Sequence, residues 1–131
     1  MRILLLTAAT GAGHIKAANA VEAYIRENTG WDVRNVDCLK AVGRLLDKTV
    51  CDSYLFMAKK APTLFGRLYK RTNQANVISH LVPKLSGLFS NLLYPTVEAC
   101  APDAIITTHP FATEMVAALK EDGLVSAPLA C

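Results

Sequence analysis

The sequence predicts an α/β protein built on an open parallel sheet with helices on both faces, and three stretches predict it. The apolar run Arg2-Ile3-Leu4-Leu5-Leu6 is followed at once by the small-residue loop Thr7-Ala8-Ala9-Thr10-Gly11-Ala12-Gly13-His14 and then by a helical pattern. Trp31-Asp32-Val33-Arg34-Asn35-Val36-Asp37 alternates apolar and polar residues, the pattern of a half-buried strand. Asp103-Ala104-Ile105-Ile106-Thr107-Thr108 then repeats the strand–turn–helix order, with His109-Pro110-Phe111 as its turn.

Taken in order, Ile3 to Leu6 is the first strand, and the first helix runs from about His14 to Asn28. Ala17, Ala18, Val21, Ala23, Tyr24 and Ile25 form its broad apolar face, with alanines that permit close packing on the sheet. Gly30 is expected to cap it. Strand, helix and strand over these residues make a right-handed parallel crossover. Residues 38 to about 100 contain no clear strand and read as a helical insert, with breaks near Pro62, Pro83 and Pro95. After the next strand, a helix over Ala112 to Lys120 ends at Gly123, and Val125 to Cys131 begins a further strand. So few strands are few for this architecture. Residues 1–131 are therefore read as one domain, a fragment of a larger protein.

Apolar residues make up 52% of the chain and charged residues 19%, which supplies a core and excludes general disorder. No run of about 18 apolar residues predicts a membrane span, and the apolar run before Thr7 is shorter than a secretory leader needs. Cys38, Cys51, Cys100 and Cys131 show neither CxxC spacing nor a histidine at zinc-ligand spacing. They read as reduced thiols of a cytoplasmic protein, with no metal site.

Charge is unevenly placed. Ser53 to Val97 carries no Asp or Glu but six cations, Lys59, Lys60, Arg67, Lys70, Arg71 and Lys84, whereas the remaining residues are net −3. Aromatic and aliphatic residues such as Phe65 alternate with these cations, and Leu85 to Tyr94 continues the stretch with little charge. Such a pattern suits a helix lying in an anionic membrane interface; its plainer reading is a helix pair packed on the sheet. No nucleic-acid-binding motif is present.

Two histidines stand at the carboxyl ends of predicted strands, where ligands bind in open α/β sheets. His14 follows the glycine loop and His109 follows the later strand. A neutral imidazole at His14 can act as a general base toward a hydroxyl acceptor, or it can merely cap the helix. His109 can line the cleft or simply hold the turn before Pro110. His80 lies within the helical insert and reads as a structural or surface residue. Gly11-Ala12-Gly13-His14-Ile15-Lys16 resembles the opening of a dinucleotide fingerprint, with Asp37 in the place of its acidic ribose ligand. Lys16 stands where the third glycine belongs, however, and argues against that function.

Thr10-Gly11-Ala12-Gly13-His14, the alanine-rich helix, the helical insert and the strand ending in Thr108-His109-Pro110-Phe111 together resemble the N-terminal domain of the monogalactosyldiacylglycerol synthase and processive diacylglycerol glucosyltransferase family. Ala12 stands where that family usually has a further glycine. The resemblance implies a Rossmann-like domain, the N-terminal half of a GT-B glycosyltransferase, which binds acceptor and membrane. A C-terminal domain, outside this chain, would bind UDP-galactose or UDP-glucose.

The reaction implied is inverting transfer of the hexose to diacylglycerol, with UDP-sugar as co-substrate and no cofactor. His14 is implied as the base. Thr10, Gly11, Ala12, Gly13, His109, Pro110 and Phe111 are expected to line the acceptor cleft, and Lys59, Lys60, Phe65, Arg67, Lys70 and Arg71 to meet anionic lipid. The implied location is peripheral, on the inner face of the cell membrane. Two other readings remain open at this point: a glycosyltransferase for another lipid-linked acceptor, and a lipid- or nucleotide-binding module without catalysis.

Overall fold

A computed structural model describes residues 1–9, 12–43 and 78–131, and within 78–88 the backbone alone. Strands β1 (Arg2–Thr7), β2 (Asp32–Asp37), β3 (Ala104–Thr107) and β4 (Leu129–Ala130) form one parallel sheet in the order β2-β1-β3-β4. Helices α1 (Ala12–Asn28), α2 (Cys38–Gly43), α3 (Ile78–Cys100) and α4 (Pro110–Glu121) pack on both faces of it. The predicted α/β, Rossmann-like sheet is therefore present.

Central position explains why β1 is apolar throughout. It pairs with β2 from Arg2↔Asp32 to Thr7↔Asp37 and with β3 from Ile3↔Ala104 to Leu6↔Thr107. Side chains alternate between faces. Ile3 and Leu5 meet Ala18 and Ile25 of α1 and Val33 of β2, whereas Leu4, Leu6 and Ala8 meet α2, α3 and α4. Leu4, Leu5 and Leu6 are fully buried, each contributing about 1.5–3 kcal/mol by leaving water.

α1 is fastened to β2 by polar contacts as well. Glu22 accepts from Arg26 at 2.8 Å and from Asn35 at 2.9 Å, and Arg26 also donates to the Val33 carbonyl at 2.8 Å. Gly30 does not cap this helix as expected, because it lacks a left-handed backbone. Thr29 closes the end instead: its N–H and its hydroxyl both donate to the Ile25 carbonyl, and its hydroxyl then accepts from the Trp31 N–H.

The proline breaks expected in the insert are corrected within α3, which runs unbroken through Pro83 and Pro95. A proline inside a helix costs about 3 kcal/mol. Around Pro95 that cost is offset by the buried stripe Phe89, Leu93 and Val97, at about 1.5–3 kcal/mol per side chain. This stripe also corrects the interfacial reading where it reaches Phe89 to Tyr94: Phe89, Ser90 and Leu93 are buried in the domain. Pro62 and the cations from Lys59 to Arg71 lie outside the described residues.

α4 ends as the sequence predicts. Gly123 takes φ +72° and donates to the Lys120 carbonyl, while Leu124 donates to the Leu119 carbonyl, a Schellman closure. α3 ends less comfortably, on Ala101 at φ +40°, whose N–H lies 3.1 Å from the Val97 carbonyl and 3.0 Å from that of Glu98.

Ala101→Gly is expected to raise stability by about 1 kcal/mol, because a left-handed cap strains an alanine and not a glycine; a thermal melt showing no rise would remove strain from this cap. Cys38 is buried, and burial first, then the Asp37 charge, pushes its thiol up to about 12. Iodoacetamide at pH 8 should therefore leave Cys38 unmodified until the chain unfolds, as peptide mapping would record.

Candidate functional site

From β1 the chain travels to β2 on one side of the sheet and later returns to β3 on the other. The crevice between the carboxyl ends of β1 and β3 is thus the switch point where α/β sheets bind ligands. α1 starts beside it at Ala12, two residues earlier than expected, so His14 is its third residue. Among the described residues only Ala101 is a non-glycine with positive φ, so Ala12 accommodates its methyl without strain. A Cβ at Gly13 would meet nothing within 4 Å among the described residues. Thr10 and Gly11 lie outside the described residues.

His14 and His109 come together here although they stand on different elements. Their ring centroids are 4.4 Å apart at an interplanar angle of 69°. His14 Nδ1 lies 2.6 Å from the Thr108 carbonyl oxygen. A carbonyl only accepts, so Nδ1 carries the proton and the neutral ring has its lone pair on Nε2. The Thr108 hydroxyl returns a bond to the His14 carbonyl at 3.2 Å. Among the described residues, His14 Nε2 has no protein partner.

His109 is fixed in the opposite sense. It is the N-cap of α4, with extended backbone (φ −141°, ψ 133°) and Pro110 next to it in the first turn. The Phe111 N–H donates to His109 Nδ1 at 3.0 Å. An N–H only donates, so this nitrogen holds a lone pair and the neutral ring carries its proton on Nε2. Desolvation, and then the neighbouring His14, hold His109 below its ordinary value of 6.5. The Thr113 hydroxyl donates to the His109 carbonyl at 3.2 Å and lies 2.7 Å from the buried Thr107 hydroxyl, anchoring the turn to β3.

A cavity of about 360 Å³ opens at this end of the sheet, lined by Thr107, Thr108, His109, Pro110, Thr113, Glu114 and Cys131. Phe111 is not among its lining residues; it is partly buried and packs edge to face on Phe89 of the core at 5.8 Å. A larger hollow of about 710 Å³ lies along β2 and includes neither histidine. Asp37 borders that hollow and caps α2, accepting from Leu39 N–H at 3.1 Å and from Ala9 N–H at 3.4 Å.

The Thr108 carbonyl went unread in the sequence. It acts through the backbone, so no residue identity signals it; the recurrence of a strand before His109 is the only cue.

A family model described as monogalactosyldiacylglycerol (MGDG) synthase matches residues 14–131. No curated protein and no solved structure matches the chain. Among the described residues no helix is long and apolar enough to cross a membrane.

His109 binds protons less readily folded than unfolded. Its contribution to stability is therefore complete above about pH 6.5 and is lost as pH falls from there through the depressed folded value. The melting temperature is expected to drop more between pH 7.5 and 5 in the wild type than in His109→Asn, whose amide caps α4 without titrating. Equal drops would clear His109 of the acid response.

Proposed function

The chain belongs to the monogalactosyldiacylglycerol synthase family, and we propose that it is the acceptor-binding domain of a membrane-associated enzyme moving galactose or glucose from a UDP-sugar to diacylglycerol. Membership makes it part of a glycolipid glycosyltransferase; sugar and acceptor are our reading. The bond between His14 Nδ1 and the Thr108 carbonyl carries it, because that bond leaves Nε2 as the basic nitrogen at the sheet's ligand-binding edge.

An alcohol is a poor nucleophile until its proton is removed. In the proposed reaction His14 Nε2 takes the proton of the diacylglycerol hydroxyl as its oxygen attacks the anomeric carbon. A new C–O bond forms there, the bond to the diphosphate breaks, and UDP leaves with the electron pair. The imidazolium formed keeps its Nδ1–H on the Thr108 carbonyl, which stabilises the positive charge. We assign the UDP-sugar to a second α/β domain outside residues 1–131, with no further cofactor. The basic, apolar stretch from Lys59 to Arg71 supports contact with anionic lipid on the inner face of the cell membrane.

In the full-length enzyme, His14→Ala is expected to lower the transfer rate by about 10²–10⁴-fold while sedimentation with vesicles is unchanged. Transfer near the wild-type rate would take His14 out of the base role. Reversing the charges of Lys59, Lys60, Lys70 and Arg71 should weaken sedimentation with anionic vesicles, and added salt should weaken it in the wild type. Binding insensitive to both would contradict the interfacial reading.

A further inference from the structure

We propose that His109 is a positioning residue for His14: its ring, anchored by capping α4, fixes the plane of the His14 imidazole so that Nε2 meets the acceptor hydroxyl. This rests on the reading of His14 as the base, and it gives a task to a histidine that the reaction does not otherwise use.

One hydrogen bond does not orient an imidazole. The bond from Nδ1 to Thr108 selects the tautomer, but the ring can still turn about that bond, since the last torsion of a histidine side chain is broad. A second ring at 4.4 Å and 69° blocks that rotation on one side. A wall of this kind is useful only if it is itself immobile, and His109 is held through its ring, its carbonyl and the residue that follows it. Its Nδ1 accepts from Phe111, its carbonyl accepts from the Thr113 hydroxyl, and Pro110 restricts the backbone that follows.

The cap also decides which ring accepts the proton. The Nδ1 lone pair of His109 is committed to the Phe111 N–H, so protonation there would break the start of α4. His14 Nε2 carries no such obligation among the described residues. Burial and proximity to His14 further disfavour the cation on His109. The pair therefore divides the work: one imidazole takes up the proton and the other holds it in place.

The test separates ring from cap. His109→Asn keeps an oxygen acceptor for the Phe111 N–H and removes the ring; His109→Ala removes both. In the full-length enzyme, His109→Asn is expected to retain the wild-type melting temperature and the KM for UDP-sugar, and to lower kcat about tenfold, as loss of orientation does. His109→Ala should lower kcat and the melting temperature together. In a His14→Gln background, His109→Asn should cause no further loss, since residues acting as one unit are not additive.

Wild-type kcat in His109→Asn would make His109 a cap only and overturn the proposal. An equal loss in both backgrounds would overturn it too, by placing His109 on the substrate directly. If His14→Gln itself transfers at the wild-type rate, the base reading fails separately. NMR relaxation of the histidine rings then still judges the pair. His109→Asn should leave intact the His14 tautomer, which Thr108 sets, and increase the motion of the His14 ring, and unchanged ring mobility would refute the positioning role.

Discussion

Parallel pairing of β1 with β3 is the constraint on which the site depends. It joins segments about a hundred positions apart, and both ends of the seam are pinned. At the amino end, Asp103 accepts from the Arg2 N–H at 2.7 Å, and the Asp103 N–H donates to the Arg2 carbonyl at 2.8 Å. At the carboxyl end, His14 and Thr108 exchange two hydrogen bonds across 94 positions. A shift of one residue in this register would turn Leu4 and Leu6 to the opposite face and carry the Thr108 carbonyl away from His14. The same burial that makes β1 apolar therefore sets the position of the polar site.

Backbone groups, not side chains, decide the chemistry of the two histidines. A carbonyl facing one ring and an N–H facing the other impose opposite tautomers on identical side chains. This economy follows from parallel α/β architecture, in which strand ends present carbonyls and helix starts present N–H groups at the same edge. A histidine at the third position of α1 donates to the former; a histidine at the N-cap of α4 accepts from the latter.

Much of this was legible in the sequence. The strands announced themselves through apolar runs and alternation, Gly123 through its place after a helical pattern, and both histidines through their position after strands. Other features were less legible. Pro83 and Pro95 read as helix breaks because local propensity argues for them, yet around Pro95 the burial of Phe89, Leu93 and Val97 outweighs it. Phe111 read as a cleft residue because it adjoins His109, but its ring completes the core against Phe89. The contact between His14 and His109 could not be read at all, since it depends on strand order and on a backbone carbonyl.

The most direct test of this account is the anomeric configuration of the lipid product. The full-length protein would be incubated with an α-linked UDP-glucose or UDP-galactose and diacylglycerol in anionic vesicles, and the hexosyl lipid analysed by proton NMR. One base and one displacement predict a β-linked hexosyl-diacylglycerol. An α-linked product, or none from folded, vesicle-bound enzyme, would contradict the assignment of His14 and of the acceptor it activates.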